Sequence, residues 1–267
     1  MKNIFVYNYI IMNIVSSVQN SIKFGISSAP TSPIPVLYYT CKIADIDTAN
    51  KKIKNYANNS YDITYNDATY INSDTNFTGN SAWGSFKSTT SIKGIGSSSY
   101  AFTSSTKAIT FCFWMKVYSL SPQGYYPVHI GTGGNLLSAE IAYNTSGASI
   151  GQPFSIFLYC GGNQTSNGGL QYNNFTTLPK NDLRNWTHFC FVAEYNQVPK
   201  LYTNGVQATI INNTNKINTW TNFTSSGIIL SNNIPCNVNE VRVYNQALTD
   251  AQIALIYGWN GSSTLIL

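Results

Sequence analysis

Ten side-chain carboxylates, seven aspartates and three glutamates, are all that this chain of 267 residues carries. Cleaving a glycosidic bond by general acid and base takes two carboxylates facing one another, about 5–5.5 Å apart for a retaining reaction and further for an inverting one. Glu140, Glu194 and Glu240 each stand with no acid two or four residues away. Asp45 and Asp47 alone are two apart, just before the cluster Lys51, Lys52 and Lys54, where a solvated loop is the competing reading. A calcium ion needs several oxygens, usually from more than one carboxylate. Asp45, Asp47 and Asp182 are the candidates for it, and turn-forming Asx chemistry accounts for the same residues. The histidines are His129 and His188. No Gly-x-Ser-x-Gly elbow occurs, and Gly131–Gly134 lacks the Lys-Ser/Thr and the helix of a phosphate loop.

Holding a sugar asks for less. Aromatic faces pack on its C–H surfaces, and amides and hydroxyls bond its oxygens. Segments that read as loops offer both: Gln123–Tyr126, Cys160–Gly169, Gln171–Asn174 and Trp220–Asn222. Tyr125, Tyr126, Asn163, Tyr172 and Trp220 are the carbohydrate-binding candidates. Ordinary sandwich-edge aromatics and Asn-rich loops are the plainer alternative.

The elements that must position these residues are short and β-like. Ile109–Val117 alternates, with Ile109, Phe111, Phe113, Met115 and Val117 on one face. Val36–Thr40, Phe154–Cys160, Trp186–Tyr195, Ile228–Leu230 and Val238–Tyr244 read as further strands. Lys200–Ile211 predicts a hairpin about Asn204-Gly205, because both central residues of a type I′ turn need positive φ. One helix follows: Thr249 and Gln252 form a capping box, Asp250 suits the first turn, and Gly258 stops it. Residues 1–35 divide into an apolar segment, read as an N-terminal arm or a signal-like stretch too short to span a bilayer, and a Pro/Ser linker. Residues 36–267 read as a single domain of many short strands.

Only 9% of residues are charged, against roughly 25% in an average domain. Asparagine, serine and threonine, at 33, 29 and 26 copies, fill the gap. With 43% apolar residues, charge-driven disorder is excluded. A net charge of +5 with no dense basic run argues against nucleic acid as a partner. Five cysteines show no metal-binding spacing, and for Cys112 and Cys190 core packing and a disulfide both stay open. Nine Asn-x-Ser/Thr sequons are about what this composition produces by chance.

Ile109–Lys116, Trp186-Thr187-His188, Leu201–Gly205 and Glu240–Leu248 leading into Thr249–Ile253 follow one another in a distinctive order. With Leu37-Tyr38-Tyr39 and Ile53–Ile63 upstream, residues 36–258 resemble the laminin-G-like, concanavalin-A-like lectin/glucanase superfamily. The resemblance implies an all-β fold, a two-sheet antiparallel jelly-roll sandwich with one sheet concave and a short C-terminal helix closing one end of the core. It implies a packing role for Trp186 and His188, and a Glu240–Arg242 pair on one strand. The enzyme branch of this fold carries an alternating acidic motif that is missing here. Lyases of the fold use Tyr, His, Arg and Gln, and Tyr202–Gln207 departs from their pattern at Thr203 and Asn204. The expectation is therefore a non-catalytic glycan-binding or adhesion module, neither glycoside hydrolase nor polysaccharide lyase, with no cofactor beyond calcium. Chains of this kind are familiar from large DNA viruses, which implies a virion or extracellular surface. Glycans or neighbouring structural proteins are the implied partners. The alternative is a structural virion or surface protein that packs on its neighbours, or forms a homo-oligomer, through the N-terminal arm.

Overall fold

A run that alternates apolar and polar residues buries one face when it is extended, and this chain does so repeatedly. The computed structural model describes residues 32–40, 42–57, 62–65, 69–71, 85–88, 95–97, 100–102, 107–117, 125–130, 137–142, 155–160, 171–175, 185–212, 216, 223–225, 228–232 and 236–258. The chain divides into two compact units, Met1–Thr31 and Ser32–Leu267, and the described residues belong to the second. The apolar N-terminal segment lies outside the described residues.

In chain order the strands begin with β1 (Leu37–Tyr39), β2 (Ile46–Asp47), β3 (Lys52–Ile53), β4 (Ile63–Tyr65), β5 (Thr69–Ile71), β6 (Ser85–Ser88), β7 (Ile95–Ser97) and β8 (Tyr100–Phe102). The middle of the chain supplies β9 (Ala108–Val117), β10 (Tyr125–Ile130), β11 (Leu137–Ala142), β12 (Ser155–Cys160) and β13 (Gln171–Phe175). Then come β14 (Thr187–Glu194), β15 (Lys200–Thr203), β16 (Val206–Gln207), β17 (Ile210–Asn212), β18 (Phe223–Ser225), β19 (Ile228–Asn232), β20 (Cys236–Tyr244) and the helix α1 (Asp250–Gly258). An eight-stranded sheet runs β16-β15-β14-β9-β20-β6-β5, with β1 also on β20, and a ten-stranded sheet runs β17-β13-β12-β11-β10-β19-β7-β4-β3-β2. Pairing among the described strands is antiparallel, as in a β-sandwich.

The eight-stranded sheet is organised by β9 and β14, which pair from Thr187 opposite Met115 to Glu194 opposite Ala108. Phe111, Phe113, Phe189 and Phe191 thereby share one face and are at most 1% exposed. Phe111 stacks on Phe191 at 4.7 Å and Phe113 on Phe189 at 5.5 Å. Each such ring contributes roughly 1.5–3 kcal/mol through burial.

The other face of this sheet is also covered. Cys112, Cys190, Val192, Tyr202 and Tyr244 pack beneath Leu248, Ile253 and Ile256. The helix therefore lies over a sheet face, whereas the resemblance implies that it closes one end of the core. Its two buried isoleucines match the apolar floor that the small cysteines leave open. The capping box is present: the Gln252 N–H donates to Thr249 Oγ1 at 3.3 Å, and the Thr249 N–H donates to Gln252 Oε1 at 3.0 Å. Cys112 and Cys190 sit directly opposite one another as free, buried thiols, which resolves their role as core packing.

Asn204 and Gly205 have φ of 50° and 77°, as a type I′ turn requires. The expected hairpin is shorter than Lys200–Ile211, however. Its second arm ends at Gln207, and Ile210–Asn212 crosses to pair with β13 in the ten-stranded sheet. Segments read as loops also prove to be strands. Tyr125 and Tyr126 open β10, and Gln171–Asn174 lies in β13. Pro127 and the asparagines lower strand propensity, but cross-strand pairing on both sides overrides it.

Candidate functional site

Neighbouring positions in a strand face opposite ways, and directly opposed positions on paired strands face the same way. This assigns the faces of the ten-stranded sheet. Ile53 is 1% exposed, and through Ile63, Ile95, Ile228, Ile130 and Leu137 the register carries its buried side across the sheet. Lys52 and Thr64, one position off, are exposed, so theirs is the outer face.

On that outer face His129, Ser138, Tyr159 and Tyr172 hold successive opposed positions on β10, β11, β12 and β13. A second row beside it runs Glu140, Phe157, Asn174 and Asn212. The inner positions of β11 and β12 are Leu137, Ala139, Ile141, Ile156, Leu158 and Cys160. On β11 and β12 the inner positions are thus apolar, whereas on β13 they are Gln171, Asn173 and Phe175; the outer positions of β10 to β13 mix aromatic, amide, hydroxyl and ionisable residue types. Three inter-strand steps of 4.7–4.9 Å make the first row about 14 Å long.

Of the sequence candidates, Tyr172 lies in this row. Tyr125 and Tyr126 are on the same strand as His129, beyond a register shift between Tyr125 and Val128. Asn163 and Trp220 lie outside the described residues. His129, Glu140 and Tyr159 belong to the face but were not singled out as sugar-binding residues, because only register brings them together.

The acidic candidates serve local structure. Asp45 Oδ2 accepts from the Thr40 hydroxyl at 2.5 Å. Asp47 accepts from the Asn50 backbone N–H at 2.9 Å and from its side-chain amide at 2.7 Å, and these bonds hold its carboxyl below the usual range. Both line a shallow cleft of about 290 Å³ with Asp62, where Lys52 and Lys54 offset the charge. Among the described residues no three His, Cys, Asp or Glu side chains gather as a metal site. Asp182 lies outside them. A larger cleft, about 700 Å³, opens between the β14–β15 turn and the start of α1, lined by Glu194, Lys200 and Asp250 among others. Asp250 is engaged there by Tyr202, whose hydroxyl donates to Oδ1 at 2.6 Å.

A buried polar cluster lies on the helix-covered side of the eight-stranded sheet. Asn239 opposes Trp114 and Arg242 opposes Cys112, so a bulge occupies the interval and Glu240 takes a positive φ of 52°. Glu240 Oε2 accepts from Arg242 Nη2 at 2.5 Å and from the Tyr38 hydroxyl at 2.6 Å. The Arg242 guanidinium also lies 4.6 Å from the centre of the Tyr38 ring. Burial pushes the Glu240 carboxyl up to about 7, against the opposing pull of Arg242. All three residues are at most 4% exposed, so no substrate reaches them. His188 is buried between Trp114 and Tyr257, with ring centres 5.2 and 5.9 Å away. Burial pulls it down to about 3, and Arg242 adds to the shift. Its packing role is as expected.

Residues 89–254, more than half of the chain, match the family described as concanavalin A-like lectin/glucanases. The chain belongs to this superfamily. No curated protein matches it. Among solved structures, the superfamily domain resembles Trypanosoma rangeli sialidase in complex with sialic acid, with a TM-score of 0.58 and 12% identity over 89% of this chain and 35% of that one. It resembles the binding domain of Paraclostridial Mosquitocidal Protein 1, with a TM-score of 0.55 and 12% identity over 84% of this chain and 51% of that one. Botulinum neurotoxin type C, whose cell entry depends on interaction with two ganglioside molecules, gives 0.57 and 13% over 84% and 50%. This superfamily member thus spans about a third of the sialidase and about half of the other two.

The expectation that the chain is no enzyme is overturned by these likenesses. Sialidases are glycoside hydrolases, and they share the fold, so a missing alternating acidic motif does not set a superfamily member apart from hydrolases. At 11–12% identity the relation is one of fold and carries no activity across.

Proposed function

We propose that this chain is a glycan-binding module working at a cell or particle surface, and that the outer face of the ten-stranded sheet is where it binds. The row His129, Ser138, Tyr159 and Tyr172 carries this reading. It sets aromatic and hydrogen-bonding residue types at opposed register positions across four paired strands, which is the chemistry sugars require. The superfamily and the ganglioside dependence of botulinum neurotoxin type C add support. Low charge suits such a surface, since sugars are met by amides and hydroxyls. A glycan array probed with the purified chain tests the proposal. Binding to a defined set of glycans is expected, and binding to none overturns it.

A further inference from the structure

The part of the outer face on β10 to β13 is polar yet almost without charge. At the described outer positions on β10 to β13, β17 and β19, Glu140 and His129 are the acid and the base apart from the tyrosine phenols, and neither Arg nor Lys occurs. Farther along the same face Lys52 and Lys54 share a cleft with Asp45, Asp47 and Asp62, so those cations already have carboxylates beside them. Carboxylated sugars are recognised by guanidinium or ammonium groups, whose charge-assisted hydrogen bonds match the anion. A sialylated glycan laid on this row would find no such group and would meet Glu140 as a like charge.

We propose that the face takes an uncharged oligosaccharide, lying across the strands from His129 to Tyr172. This rests on the glycan-binding reading above and narrows its ligand. Tyr159 and Tyr172 occupy opposed positions on adjacent strands, with Phe157 two residues from Tyr159 on the same face. Aromatic residue types at three such register positions suit the C–H faces of successive sugar rings. Asn174 and Asn212, opposed on β13 and β17, add amide residue types suited to hydroxyl groups at neighbouring positions. A row of about 14 Å exceeds one sugar ring and favours a chain of them.

The test is titration of the full chain with glycan pairs that differ only in a terminal sialic acid, together with a neutral series of increasing length. The neutral member of each pair is expected to bind on the order of tenfold more tightly, about 1.4 kcal/mol, with affinity rising along the series. Tyr159→Ala and Tyr172→Ala are expected to weaken neutral binding by a similar factor while the melting temperature stays within a few degrees. Asn174→Arg reads the same face without truncating an aromatic, and is expected to shift preference toward the sialylated member. If the sialylated member binds as well or better in the unmodified chain, the inference fails and the glycan-binding reading stands. If binding is unchanged in all three folded variants, this face is not the site. If no glycan binds at all, both fail.

Discussion

Glu240 and Arg242 form an ion pair sealed inside the protein, held by a bulge that turns the Glu240 backbone to a φ of 52°. Two residues apart on a regular strand would also share a face, but the bulge moves Glu240 off that alternation and beneath the Tyr38 hydroxyl. Glu240 Oε1 is buried without a partner, so the pair depends wholly on the Oε2 contacts.

Removing one member leaves the other charge stranded. Arg242→Met should destabilise the domain by roughly 3–5 kcal/mol, because the carboxylate then lacks its counter-charge. Tyr38→Phe should cost less, about 1–3 kcal/mol, through loss of one hydrogen-bond donor to a charged acceptor. Urea denaturation of the two variants checks the order, and a Tyr38→Phe loss equal to that of Arg242→Met contradicts it.

The pH dependence has two opposing parts. Glu240, raised from 4.5 to about 7 chiefly by burial, contributes stability that is present below about 4.5 and lost as pH rises through 7. His188, lowered from 6.5 to about 3 by burial and by Arg242, contributes stability that is present above 6.5 and lost as pH falls toward 3. Glu240→Gln should therefore lose less stability than the parent between pH 4.5 and 7. His188→Phe should lose less between pH 6.5 and 3. Denaturation midpoints across that range decide, and parallel curves for parent and variants refute both assignments.

Gly205 sits at a φ of 77°, and a Cβ there would lie 2.9 Å from Tyr257 Cδ1 at the end of α1. Gly205→Ala should destabilise by roughly 1–3 kcal/mol through backbone strain and this clash. Adding Tyr257→Ala should recover the part due to the clash. A double-mutant cycle measures it, and strict additivity means the contact carries nothing.

The opposed thiols Cys112 and Cys190 are 0% exposed, and burial pushes the Cys190 thiol up, which withholds the reactive thiolate. Both should resist an aromatic disulfide reagent in the native state and react at the rate of unfolding. Peptide mapping after timed labelling reads this, and fast native labelling at either position rules it out.

The legible parts of the fold were those with strong local patterns. Ile109–Val117 alternates cleanly, Asn204-Gly205 admits one turn, and Thr249 with Gln252 caps a helix. Strands β10 and β13 were hidden because Pro127, Asn173 and Asn174 weaken the local strand pattern, and both segments read as loops. The candidate face was harder still. His129 is 43 residues from Tyr172 in sequence, and only the register of three strand pairings aligns them. Tyr172 was found by residue type, whereas Tyr159 lay inside Phe154–Cys160, a run that read only as a strand.

Asn174 and Asn212 carry one more property. Each is followed, two residues on, by threonine, so both opposed positions are N-glycosylation sequons. A cell that modifies them would hang its own sugars beside the proposed binding row and mask it. A cell lacking that machinery would leave the row unmodified. The choice of expression host therefore becomes a variable in any binding measurement on this protein.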